Sequence, residues 1–156
     1  TPIEADLLQE VIQRALTADF AMPPVEVLCA DRSWVELLVP CAREAAERIQ
    51  HFINQLESDL DVDARESVGL ALRELLLRAV ASGGRLDPTQ RVRVLRRRAP
   101  GVLVYRIAHM HVRGREGTRA SGFGLMRVKA IADELVYNAR GNEVTFVKYL
   151  AEPSGN

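Results

Sequence analysis

Two glycines ahead of a helix are the residues best placed to do chemistry. Gly122 and Gly124 stand in Arg119-Ala-Ser-Gly-Phe-Gly-Leu125, and from Leu125 onward Val128, Ile131, Ala132 and Leu135 recur at helical spacing. A glycine loop running into a helix is the geometry of an anion site. Glycine lets the backbone approach a ligand closely, and the free N–H groups of the helix's first turn, with the positive end of its dipole, favour a phosphate. The same residues would also serve simply to turn a helix onto a sheet. Upstream, Glu74 and Arg78 sit one turn apart beside the apolar stripe of a predicted helix. As an i,i+4 pair in the favourable order they would contribute about 0.3–0.5 kcal/mol on an exposed helix. His109 and His111 alternate along a predicted strand and share a face, where they could hold a metal jointly, but no third ligand is visible. His51 falls in a helix as a surface or boundary residue.

These groups need a scaffold, and 156 residues with 47% hydrophobic and 27% charged composition suit one globular domain. No apolar run approaches membrane-spanning length and no signal-peptide pattern opens the chain, so a cytoplasmic location and no membrane partner are expected. Cys29 and Cys41 lack CxxC spacing and read as reduced thiols. The formal net charge is zero but unevenly spread. Residues 1–84 hold 15 acidic and 7 basic side chains, whereas residues 85–130 hold 12 basic and 2 acidic ones. A basic half beside a glycine loop suits a polyphosphate or an acidic protein surface. Nucleic acid is disfavoured, because no aromatic residues interleave with the arginines to form a stacking platform.

Along the chain, Leu7, Leu8, Val11, Ile12, Ala15 and Leu16 form a narrow stripe that a helix over 1–19 would bury, against its own domain or in a homodimer. Pro23-Pro24 is tolerated by neither helix nor central strand, which places a linker at 20–31 and the domain proper at 32–152, with a tail at 153–156. Trp34–Pro40 reads as a strand stopped by proline, and residues 41–60 as a helix with apolar positions 45, 46, 49, 52, 53 and 56. Asp63-Ala-Arg-Glu66 has the capping-box form and opens the helix bearing Glu74, which runs to Ser82-Gly83-Gly84, where a glycine can cap it. Arg91–Arg96 and Val102–His109 are strands joined through a Pro-Gly turn. After the glycine loop and its helix, Leu135–Asn138 and Val144–Leu150 flank Arg140-Gly-Asn142 as a hairpin. Paired strands and intervening helices give an α/β (α+β) two-layer sandwich with a mixed, mostly antiparallel sheet covered on one face by helices.

Taken together, the Ser33-Trp34 strand ending at Pro40, the Ala71-Leu-Arg-Glu-Leu-Leu-Leu-Arg-Ala-Val80 helix, the Gly122-Phe-Gly-Leu125 box and the Ala132-Asp-Glu-Leu-Val-Tyr137…Gly141-Asn-Glu-Val144 ending resemble the GHKL (histidine-kinase-type) ATPase domain. The resemblance spans about residues 33–150 and is closest to the anti-sigma-factor serine kinases. It implies the histidine-kinase-like fold and a phosphoryl-transfer site using ATP and Mg2+, with Glu74 at the position of the general base. Arg78 then stands where the family's magnesium-holding asparagine belongs, Ser82 where a histidine is common, and His109 and His111 where the adenine-reading Asp-x-Gly is expected. On this reading Arg78, His109, Gly122, Gly124 and Leu125 are the nucleotide-binding candidates. A guanidinium offers donors only, so Arg78 could meet phosphate oxygens but not a cation, and His109 lacks the acceptor-only carboxylate that selects an exocyclic amine. The first sixteen residues resemble the last helix of a response-regulator receiver, which implies that residue 1 lies inside a longer protein. Two functions follow. One is a regulatory domain of bacterial signalling with weakened ATP and magnesium binding, engaging an acidic protein partner such as a sigma factor or antagonist. The other is an active ATP- and Mg2+-dependent serine/threonine kinase acting on an antagonist protein.

Overall fold

The computed structural model describes residue 9 and residues 25–83, 87–109 and 123–151. Six strands form one sheet: β1 (Glu26–Ala30), β2 (Trp34–Pro40), β3 (Arg91–Ala99), β4 (Val102–His109), β5 (Glu134–Tyr137) and β6 (Glu143–Tyr149). Their order across the sheet is β1-β2-β3-β4-β6-β5, and every adjacent pair is antiparallel. Among the described residues from 25 onward three α-helices, α1 (Arg43–Leu56), α2 (Val62–Arg78) and α3 (Phe123–Ile131), supply the second layer. The fold is thus the expected two-layer α+β sandwich, with a wholly antiparallel sheet.

Period-2 alternation decides which face the helices cover. Val35, Leu37 and Val39 of β2, Val92 and Val94 of β3, Leu103, Tyr105 and Ile107 of β4, and Val144 and Phe146 of β6 all point inward and are buried. Against them α1 places Ala45, Ala46, Ile49, Phe52 and Ile53, and α2 places Val68, Ala71, Leu72, Leu75 and Leu76. Leu125 and Val128 complete this core from α3, which packs on α2. Gly69 on α2 allows a close approach to α1, since a Cβ there would lie 2.6 Å from Asn54 Oδ1.

Several boundaries differ from expectation, each for a local reason. Residues 26–30, read as part of a linker, form the edge strand β1, which pairs with β2 through a bulge between Val27 and Cys29. The two prolines end before Val25, and an edge strand needs only one hydrogen-bonded flank. The cap of α2 is Asp61, whose side chain accepts from Ala64 N at 2.7 Å, so the helix starts one residue before Asp63. At its other end α2 continues through a π-helical turn, Ala79–Gly83, as far as the glycines expected to end it, and Gly84 lies outside the described residues. The Pro100-Gly101 turn and the β5–β6 hairpin do use left-handed glycines, Gly101 at φ 81° and Gly141 at φ 75°. The expected N-terminal helix and the tail lie outside the described residues, apart from residue 9.

Candidate functional site

Two of the candidate residues, Arg78 and His109, meet at one end of the sheet, where the last turn of α2, the end of β4 and the β5–β6 hairpin come together. Leu75 and Ala79 from the helix side and Ile107 and Val144 from the sheet give a small cavity an apolar floor. Arg78, His109 and Tyr137 close it, so two of the residues picked from sequence, 31 positions apart in the chain, line one pocket. Its volume is about 20 Å3, room for roughly one water.

The hairpin is tied firmly to the strand it faces. His109 N donates to Asn142 O at 2.9 Å, and Asn142 Nδ2 donates back to His109 O at 3.4 Å. Asn138 Oδ1 accepts from Asn142 N at 3.0 Å and from Glu143 N at 3.1 Å, fixing the turn that Gly141 makes possible. Burial pushes the Tyr137 phenol up from its ordinary range, and the positive charge of Arg78 acts against that rise. Tyr137 and Asn142 are legible in the sequence only as hairpin residues, not as lining of this cavity. The Asn138…Gly141-Asn142 spacing marked only a turn, and nothing local says that this turn folds back over the end of β4.

Glu74 and Arg78 form the i,i+4 pair that their spacing predicts, with Arg78 Nε donating to Glu74 Oε2 at 3.1 Å. Both are partly exposed, Arg78 at 22% and Glu74 at 36%. One oxygen of the Glu74 carboxylate is thus engaged by the guanidinium. Gly124 lies in the first turn of α3, and α3 packs against α2, the helix that carries Glu74. The Leu125 side chain is 3% exposed and belongs to the core, leaving its main chain as the part able to meet a ligand. Gly122, His111 and the side chain of Ser82 lie outside the described residues.

The donor set decides which groups this end of the molecule can hold. Arg78 and His109 bring N–H donors and Asn142 an amide over an apolar floor, while Glu143 adds a carboxylate to the same lining, so donors and an acceptor are both presented. Magnesium does not fit at Arg78, which has no lone pair to give. Among the described residues no three His, Cys, Asp or Glu side chains come together to hold a metal ion.

No curated protein matches the chain. A family model described as the histidine kinase-like ATPase domain matches residues 39–148. That span runs from the end of β2 into β6 and takes in α2, the end of β4 and the glycine box, more than two thirds of the sequence. By the extent of that match, the chain belongs to the histidine kinase-like ATPase family.

Proposed function

We propose that this is a regulatory domain of bacterial signal transduction, of the anti-sigma-factor-kinase type, in which the family's hold on ATP and magnesium is weakened and the output is a protein contact. The observation that carries this reading is the Arg78–Glu74 pair, 3.1 Å apart on α2. It sets a cation where a cation ligand is needed and engages the carboxylate that would act as base. The partner expected is an acidic protein surface, bound in a salt-sensitive way by the basic segment from Arg91 to Lys129.

A second reading, an active ATP- and Mg2+-dependent serine/threonine kinase, draws on the packing of α3 and its Gly124 against the Glu74 helix. In it Glu74 takes the proton of a substrate hydroxyl and the Gly122–Gly124 loop covers the phosphates. Isothermal titration with ATP, with and without magnesium, separates the two. The regulatory reading predicts no saturation below about 1 mM and no gain from magnesium. Micromolar, magnesium-dependent binding accompanied by phosphotransfer to a serine would establish the kinase.

A further inference from the structure

The sheet has a second face that no described helix covers. Its centre is Leu95, with Arg93 and Arg97 two residues away on the same side of β3, Arg106 directly opposite on β4 and Glu36 directly opposite on β2. Three guanidinium groups therefore surround one aliphatic side chain. Arg93 meets Glu36 at 2.6 Å, Arg106 meets Glu143 at 3.5 Å, and Arg97 stacks over the Trp34 ring at 4.7 Å. Toward the other edge the same face exposes Val136 at 56% and Tyr149 at 54%. An open antiparallel sheet commonly leaves one face to water, but that face is then polar, and this one carries an apolar lane between its charges.

The sequence pattern supplies a second apolar stripe that would need cover if helical, from Leu7 to Leu16. We propose that residues 1–16 dock as a helix on this outer face of the same chain, making a third layer over Leu95 and Trp34. Length supports the fit. Sixteen helical residues extend about 24 Å, and six strands spaced about 4.8 Å apart span about 24 Å between the outermost axes. The route is short enough, because β1 is the edge strand and residues 17–24 can reach at most about 26 Å from Val25. Charge supports it as well. Residues 1–16 carry Glu4, Asp6 and Glu10 against the single Arg14, facing the three arginines around Leu95.

Trp34 is the only tryptophan in the chain and lies on the proposed contact, so its fluorescence reports directly on cover. Acrylamide quenching should be compared between the full chain and Leu8→Asp/Ile12→Asp, which leaves residues 25–151 unaltered. The docked helix predicts that the quenching constant rises about twofold in the variant as one side of the indole is uncovered. It also predicts a rise with added salt in the unsubstituted chain, while light scattering gives a monomer in both cases. Arg106→Glu, an exposed change whose fold can be checked by circular dichroism, should raise quenching in the same direction. Equal quenching in all three proteins would overturn the proposal. So would a dimer that the stripe substitutions split, since a second copy would then provide the cover.

Discussion

Glu57 carries more of the interior's polar burden than any residue at the candidate site. It is 1% exposed, and its carboxylate accepts from Arg96 Nε at 2.6 Å and Nη2 at 2.9 Å, from the Tyr105 hydroxyl at 2.6 Å and from Arg98 Nη1 at 3.2 Å. Arg96, itself 3% exposed, spends its remaining nitrogen on Arg32 O at 2.9 Å. Arg98 reaches on to Asp59 with two further bonds. One carboxylate thus joins the end of α1 to β3 and β4, and among the described residues no buried side-chain polar atom lacks a partner. Removing one member leaves an uncompensated buried charge, so Glu57→Ala should cost about 3–5 kcal/mol in urea unfolding. Replacing Glu57 and Arg96 together by Met and Leu should recover most of that loss. A loss below about 0.5 kcal/mol for Glu57→Ala would mean that the network is solvated and weak.

The helix start tests how local chemistry chooses among near-equivalent residues. Asp61 and Asp63 both precede the apolar stripe, and only Asp61 caps α2. Asp61→Ala should therefore lower stability by about 1 kcal/mol, whereas Asp63→Ala, in the first turn, should lose only the few tenths that come from the helix dipole. Thermal melts of the two variants check the assignment, and equal losses would contradict it. The same pattern explains what the sequence makes legible. Trp34–Pro40 and Val102–His109 are readable to the residue because alternation, a terminating proline and a Pro-Gly turn agree. β1 is hidden by the prolines before it and by its short, bulged register. The buried network was readable in part. Val92 and Val94 put Arg96 on the inward face, and Ile53 puts Glu57 one turn along the buried side of α1, but that the two meet across 39 residues is a fact of packing. At the candidate site, the helix bearing Glu74 and Arg78 is local and was visible. The hairpin carrying Tyr137 and Asn142 is equally local and legible, but its packing over His109 at the end of β4 is a long-range contact that no local pattern marks.

At the scale of the whole molecule, the single core and the single functional end make different demands. Burial pushes the Cys41 thiol from 9.0 up to about 11 and the Tyr105 hydroxyl well above 10.0, in the latter case with Glu57 adding to the rise. Both groups fold in their neutral form, so the unfolded chain ionises first. Their stabilisation is complete below about pH 9 and is lost progressively as pH climbs through the folded values. Urea midpoints should accordingly fall between pH 9 and 11, less steeply in Cys41→Ala and Tyr105→Phe, and a midpoint flat to pH 11 would place these groups in water. On the proposed reading the candidate end makes the opposite wager, a nucleotide-type scaffold kept intact with altered contact groups. The most direct measurement is a calorimetric titration of ATP and magnesium into Arg78→Asn/His109→Asp beside the unsubstituted chain. If the scaffold is preserved and those two side chains are what weaken it, the double variant should bind at least about tenfold more tightly and become magnesium-dependent. Unchanged or weaker binding in a folded double variant would contradict the account.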